Sequence, residues 1–182
     1  MRIQLALSVM LFSLAATAQS VAANPQVNSA KAFYGYMKTN VLKTAEKVPE
    51  EKYSFSATED TRSIGQLLAH IADAQFAFCG IIQTGKAVTK DAEHTAKTKA
   101  DIVKALNDSF ALCDADWTAM TDANSADMVI FHGPVTKLAL IGFNTAHSLE
   151  HYGNLVTNMR LCKIVPPTAE ETPAPAAKAS PK

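Results

Sequence analysis

Neither sign of charge is in surplus: 17 Lys and Arg stand against 17 Asp and Glu in 182 residues, a formal net charge of +0. A nucleic-acid surface needs a basic patch, so that class of partner is excluded. Convincing strands are also missing. Met128-Val-Ile-Phe131 could be extended, but a single strand has nothing to pair with. Bulky apolar groups are almost absent from Val165 to Lys182, a low-complexity stretch rich in Pro and Ala. Such a segment cannot build a core, and a disordered tail is predicted from about residue 168. Cysteine is sparse, with three residues, which allow one bridge and leave one thiol over.

The first apolar stretch, Ile3 to Ala16, follows Met1-Arg2 and precedes the small-x-small site Ala16-Thr-Ala18. It is short for a membrane span of about 20 residues. The pattern is that of a secretory signal peptide, residues 1–18, with a second cut site after Ala23 left open. Cleavage after Ala18 removes Arg2 and leaves 164 residues, enough for one domain with its own core. No cysteine follows the apolar run closely, which argues against a lipid anchor. The expected location is exported, periplasmic or secreted, with no membrane span after cleavage.

Four segments carry helical periodicity. Asn24-Pro25 opens the first, with Val27, Phe33, Tyr34, Met37 and Val41 at helical spacing, and it ends before Pro49. Ser63-Ile-Gly-Gln66 is a capping-box pattern that opens the second, which stops near Gly85. Thr98-Lys-Ala-Asp101 caps a third, and a fourth runs from about Val135 to Leu161. The domain, residues 24–167, is therefore predicted to be all-α, a four-helix bundle. The connection over residues 84–97 is long, whereas simple up-down bundles use short loops. A crossover there allows helices two and three to run parallel.

Cys79 lies about 16 residues into helix two, and Cys113 about 15 into helix three. Parallel helices would bring the two sulfurs to one height; antiparallel helices would separate them. A Cys79–Cys113 bridge and the crossover stand or fall together. Cys162 is then the unpaired thiol, and three buried free thiols are the alternative.

The chemistry points to histidine. His147 and His151 are four residues apart on the fourth helix, on one face and about one turn from each other. Asn144, His147, His151, Asn154 and Asn158 step by three or four and form a polar stripe among apolar neighbours. Such a stripe either faces water or lines an internal polar site. His70 occupies the apolar second helix, in Leu67-Leu-Ala-His70-Ile-Ala-Asp73. Three neutral imidazoles suit a divalent transition metal and can leave a coordination position open. The plainer reading is a chance spacing with an ordinary core histidine.

The segments Arg62-Ser-Ile-Gly-Gln-Leu-Leu-Ala-His70-Ile-Ala-Asp73 and His147-Ser-Leu-Glu-His151-Tyr-Gly-Asn154-Leu resemble the DinB-like, YfiT-related family of metalloenzymes. The order and distance of the three histidines match as well, and the resemblance covers roughly residues 28–166. It implies a four-helix bundle of up-down-down-up topology. It also implies that His70, His147 and His151 hold a divalent metal, with Zn, Ni, Fe or Mn as candidates. Some relatives are thiol-dependent transferases or isomerases of the cytoplasm, a setting from which an exported chain departs.

Two functions are expected from these readings. One is a metal-dependent hydrolase or thiol-type transferase acting on a small molecule, with Glu150 as a candidate base; a solvated surface carboxylate is the alternative for Glu150. The other is a non-catalytic periplasmic metal- or small-ligand-binding protein. Asp73 either hydrogen-bonds an imidazole or faces solvent. His94 and His132 are expected in loops as ordinary surface histidines, with an approach of His132 to the site left open. A homodimer is left open.

Overall fold

A computed structural model describes residues 23–171; the expected signal segment and most of the expected tail lie outside them. Four long helices form the body: α1 (Pro25–Lys47), α2 (Ile64–Thr84), α4 (Lys99–Ala119) and α5 (Lys137–Leu161). The expected capping boxes open α2 and α4. The Ser63 hydroxyl accepts from Gln66 N while the Gln66 side chain accepts from Ser63 N, and Thr98 and Asp101 repeat the arrangement. Gly85, at φ 74°, ends α2 in the left-handed conformation that glycine adopts without steric cost.

α1 has no side-chain cap of its own at Asn24. Instead the Asp122 carboxylate accepts from Gln26 N and Val27 N at 3.2 and 2.9 Å. At the other end Lys99 Nζ donates to the Glu46 and Val48 carbonyls at 2.7 and 2.8 Å. Both ends of α1 are thus closed by the flanks of α4, with the two helices opposed.

α2 and α4 ascend together. Gly65 lies against Ile102, Cys79 is bridged to Cys113, and Gln83 donates to the Leu112 carbonyl. The bridge spans a Cα–Cα distance of 5.3 Å, within the range a disulfide needs. α5 runs against α2, with Gln75 on Ser148 and Asn158 reaching back to the Arg62 carbonyl. Met37, Leu68, Ile71, Leu106, Phe110 and Leu155 are fully buried between the four helices. An amphipathic helix too short of apolar surface to stand alone gains its stability from this shared packing.

The all-α expectation for 128–136 is corrected locally. β1 (Met128–Ile130) pairs antiparallel with β2 (Pro134–Thr136), matching Val129 to Val135. The turn is possible because His132 (φ 51°) and Gly133 (φ 151°) reverse the chain. Val129 then buries against Phe78 and Leu140, which gives the hairpin an apolar support. Thr136 caps α5 by accepting from Ala139 N. The expected tail boundary near residue 168 falls inside a short helix, α6 (Pro167–Glu171), tied to α1 through Lys47 and Glu170.

The crossover between α2 and α4 is docked on the bundle. It contains one helical turn, α3 (Ala92–Thr95). At Gly80 a Cβ would fall 2.7 Å from Val88 Cγ2 and 2.8 Å from Val88 N, so only glycine lets the crossover backbone approach α2 this closely.

Candidate metal centre

His70 on α2 and His147 and His151 on α5 converge, with one ring nitrogen of each lying within 4.8 Å of those of the others. The antiparallel α2–α5 pairing brings them to the same height. His147 and His151 follow the i, i+4 geometry of one helix face, and their Nε2 atoms are 3.1 Å apart. The His70 ring stands edge-on to His151 at a centroid distance of 4.6 Å. Phe78 and Phe143 flank His147 at 5.8 and 6.4 Å and close the hairpin side with aromatic surface.

The electrostatics favour neutral rings. Burial, then His147 and His70, push the His151 imidazole down to about 4. Burial, then His70, push His147 below its ordinary value as well. Neutral imidazole is the ligand form. Two neutral rings whose Nε2 atoms face each other at 3.1 Å can share at most one proton between them. Their buried Nδ1 atoms have no hydrogen-bond partner. A divalent transition cation bound by the three rings would satisfy the facing lone pairs, so the donor set fits such an ion.

Glu93 reaches the centre from α3. Its Oε2 lies 3.0 Å from His70 Nδ1, and its Oε1 accepts from Arg62 Nε at 2.8 Å. Burial raises the Glu93 pKa, but the hydrogen bonds and charges of Arg62 and His70 outweigh it and hold the carboxyl below its usual range. Nothing in the sequence between 86 and 98 announces this residue; its role depends on the path of the crossover.

Asp73 takes neither of its expected positions. Its two carboxylate oxygens accept from Ala92 N and Glu93 N at 2.8 and 2.9 Å. Glu150 is exposed on the rim, where its charge raises the pKa of both α5 histidines against the effect of burial. With His151, Arg62, Asn154, Thr157 and Asn158 it lines a polar cleft of about 370 Å³. His94, expected in a loop, lies in α3, exposed and bonded to Asp91, and His132 occupies the hairpin turn; neither joins the three.

The polar stripe on α5 divides. Asn144 is buried, donating to Gln75 Oε1 at 2.8 Å, and Gln75 donates in turn to Ser148 Oγ at 2.9 Å. Asn144 Nδ2 also lies 3.8 Å from both sulfurs of the bridge. His147 and His151 form the centre, Asn154 borders the cleft, and Asn158 is buried below it.

The family described as the DinB superfamily matches residues 36–155. The structure is similar to a DinB-like protein from Bacillus cereus, at 16% identity over 77% of this chain and 95% of that one, with a TM-score of 0.63. A DinB-like protein from Bacillus subtilis gives 22% identity, coverage of 75% and 93%, and a TM-score of 0.60. An uncharacterised protein from Escherichia coli gives 11%, coverage of 76% and 95%, and a TM-score of 0.61. No curated protein matches.

Proposed function

Given that the chain belongs to the DinB superfamily, we propose that it is a metal-dependent enzyme that acts on a small molecule at the His70, His147 and His151 centre. The observation that carries this reading is the convergence of three imidazoles beside an open polar cleft. The three imidazoles would hold a divalent transition cation, which would supply Lewis acidity toward a water, a thiol or a carbonyl in the cleft.

The chain's own residues have separable tasks. Burial keeps His147 and His151 unprotonated and ready to donate lone pairs. Arg62 borders the cleft and favours a substrate that presents an anionic or carbonyl oxygen. Asn154 and Asn158 offer amide groups along the same wall. Glu150, at the rim, can accept a proton at the cleft mouth. Hydrolysis is favoured over thiol transfer, because the Cys79–Cys113 bridge suits an oxidising compartment where low-molecular-weight thiols are scarce.

A second reading, a non-catalytic metal- or ligand-binding protein, draws on the exposure of Glu150, which leaves the cleft without a buried carboxylate base. Metal analysis of untagged protein tests both. Near-stoichiometric divalent metal is expected, and His147→Ala or His151→Ala should abolish it. Undiminished metal in both variants would sink the site. Metal retention without turnover of ester, amide or phosphoester substrates by the reconstituted protein would favour the second reading.

A further inference from the structure

We infer that Glu93, delivered by the crossover, is a positioning residue of the metal centre that fixes His70 as its Nδ1–H tautomer and aims the Nε2 lone pair at His147 and His151. The inference rests on reading the three histidines as a metal site, but its first test does not require metal.

A neutral imidazole carries one proton, and the partner of one nitrogen decides what the other can do. Glu93 receives the Arg62 guanidinium on its other oxygen, as a carboxylate does, and a carboxylate can only accept. At 3.0 Å its Oε2 therefore requires the proton on His70 Nδ1. Nε2 is left as the free donor atom of a ring that stands 4.6 Å from His151 and 5.3 Å from His147, centroid to centroid. Carboxylate, imidazole and metal in series is an arrangement that raises ligand basicity and restricts ring rotation.

Glu93 is itself held by residues of the α2 segment. Arg62, just ahead of the α2 cap, binds its other oxygen at 2.8 Å. Asp73, three residues after His70, takes the amide of Glu93 at 2.9 Å and that of Ala92 at 2.8 Å. A four-residue helix does not persist alone; α3 exists because this carboxylate satisfies its first N–H groups. Val88, packed on Gly80, fixes the crossover further back. One segment of chain thus supplies the ligand His70, the anchor of the turn and the clamp on the carboxylate. The long crossover reads as part of the centre.

The test uses the full mature chain. In metal-free protein, long-range ¹H–¹⁵N correlation should show His70 as the Nδ1–H tautomer. Glu93→Ala should return it to the Nε2–H form that free imidazole prefers. Glu93→Gln should retain Nδ1–H, since the amide oxygen still accepts. Zn(II) affinity, measured by chelator competition, should fall roughly 10- to 100-fold in Glu93→Ala and less in Glu93→Gln. An unchanged tautomer and Zn(II) affinity in Glu93→Ala would overturn the inference. A wild-type chain that binds no Zn(II) but shows the tautomer switch would refute the metal site and leave the Glu93–His70 bond standing.

Discussion

At position 116 a carboxyl group faces the interior of the bundle, 6% exposed, with Oδ2 lacking any hydrogen-bond partner. Burial pushes its pKa up to about 6, against the lowering influence of Gln83 and Lys137. The folded state therefore holds this proton more tightly than the unfolded chain, whose value is near 3.8. Asp116 costs stability above pH 6, and the cost fades as the pH falls toward 3.8. Asp116→Asn is expected to stabilise the protein by roughly 1–3 kcal/mol at pH 7.5. The gain should shrink by pH 5, as urea titrations of both proteins can show; an equal gain at both pH values would contradict it. His151 has the opposite sense, since its folded value near 4 lies below 6.5, so metal-free protein loses stability as the pH falls through that window. Differences between variant and wild type isolate Asp116 from this background. Asp116 was not legible from local pattern, because its burial depends on the seating of α4, whereas His147 and His151 could be paired from spacing on one helix.

Among the elements, α2 and α4 are joined covalently. Replacing both bridge cysteines, Cys79→Ser with Cys113→Ser, should cost roughly 3–4 kcal/mol, the entropy of closing a loop of 34 residues. Thiol titration of denatured, unreduced protein should find one free group, Cys162; three would rule the bridge out. This pairing could be read in advance because two local caps, Ser63–Gln66 and Thr98–Asp101, set the depth of each cysteine. The helices were legible for the same reason: caps and periodicity are local. The hairpin was not. Its second strand is three residues long, begins with Pro134 and runs directly into α5, and its support by Phe78 comes from a distant part of the chain. Glu93 was hidden by the same non-locality, since 23 residues separate it from His70.

Across the whole molecule, α2 is the hub, bonded to α4 through sulfur and facing α5 through the three histidines. It is long and apolar enough to cross a membrane, yet 78% of its most apolar window is buried within the bundle, the pattern of a core helix. Export remains a proposal drawn from residues 1–18. Mass spectrometry of native protein is expected to find Gln19 at the amino terminus; an intact Met1 in the native protein would count against it. Cleavage there keeps the Ala23 carbonyl, which accepts from Asn28 Nδ2 at 2.7 Å. The bridge has a mechanical consequence. If the chain is pulled by its two ends, the span between Cys79 and Cys113 cannot pay out. The extended contour is then shorter by roughly 110–120 Å, about 3.3–3.6 Å for each of 34 residues. The crossover that carries Glu93 lies wholly inside that closed ring, so under tension it bears no load until the sulfurs part.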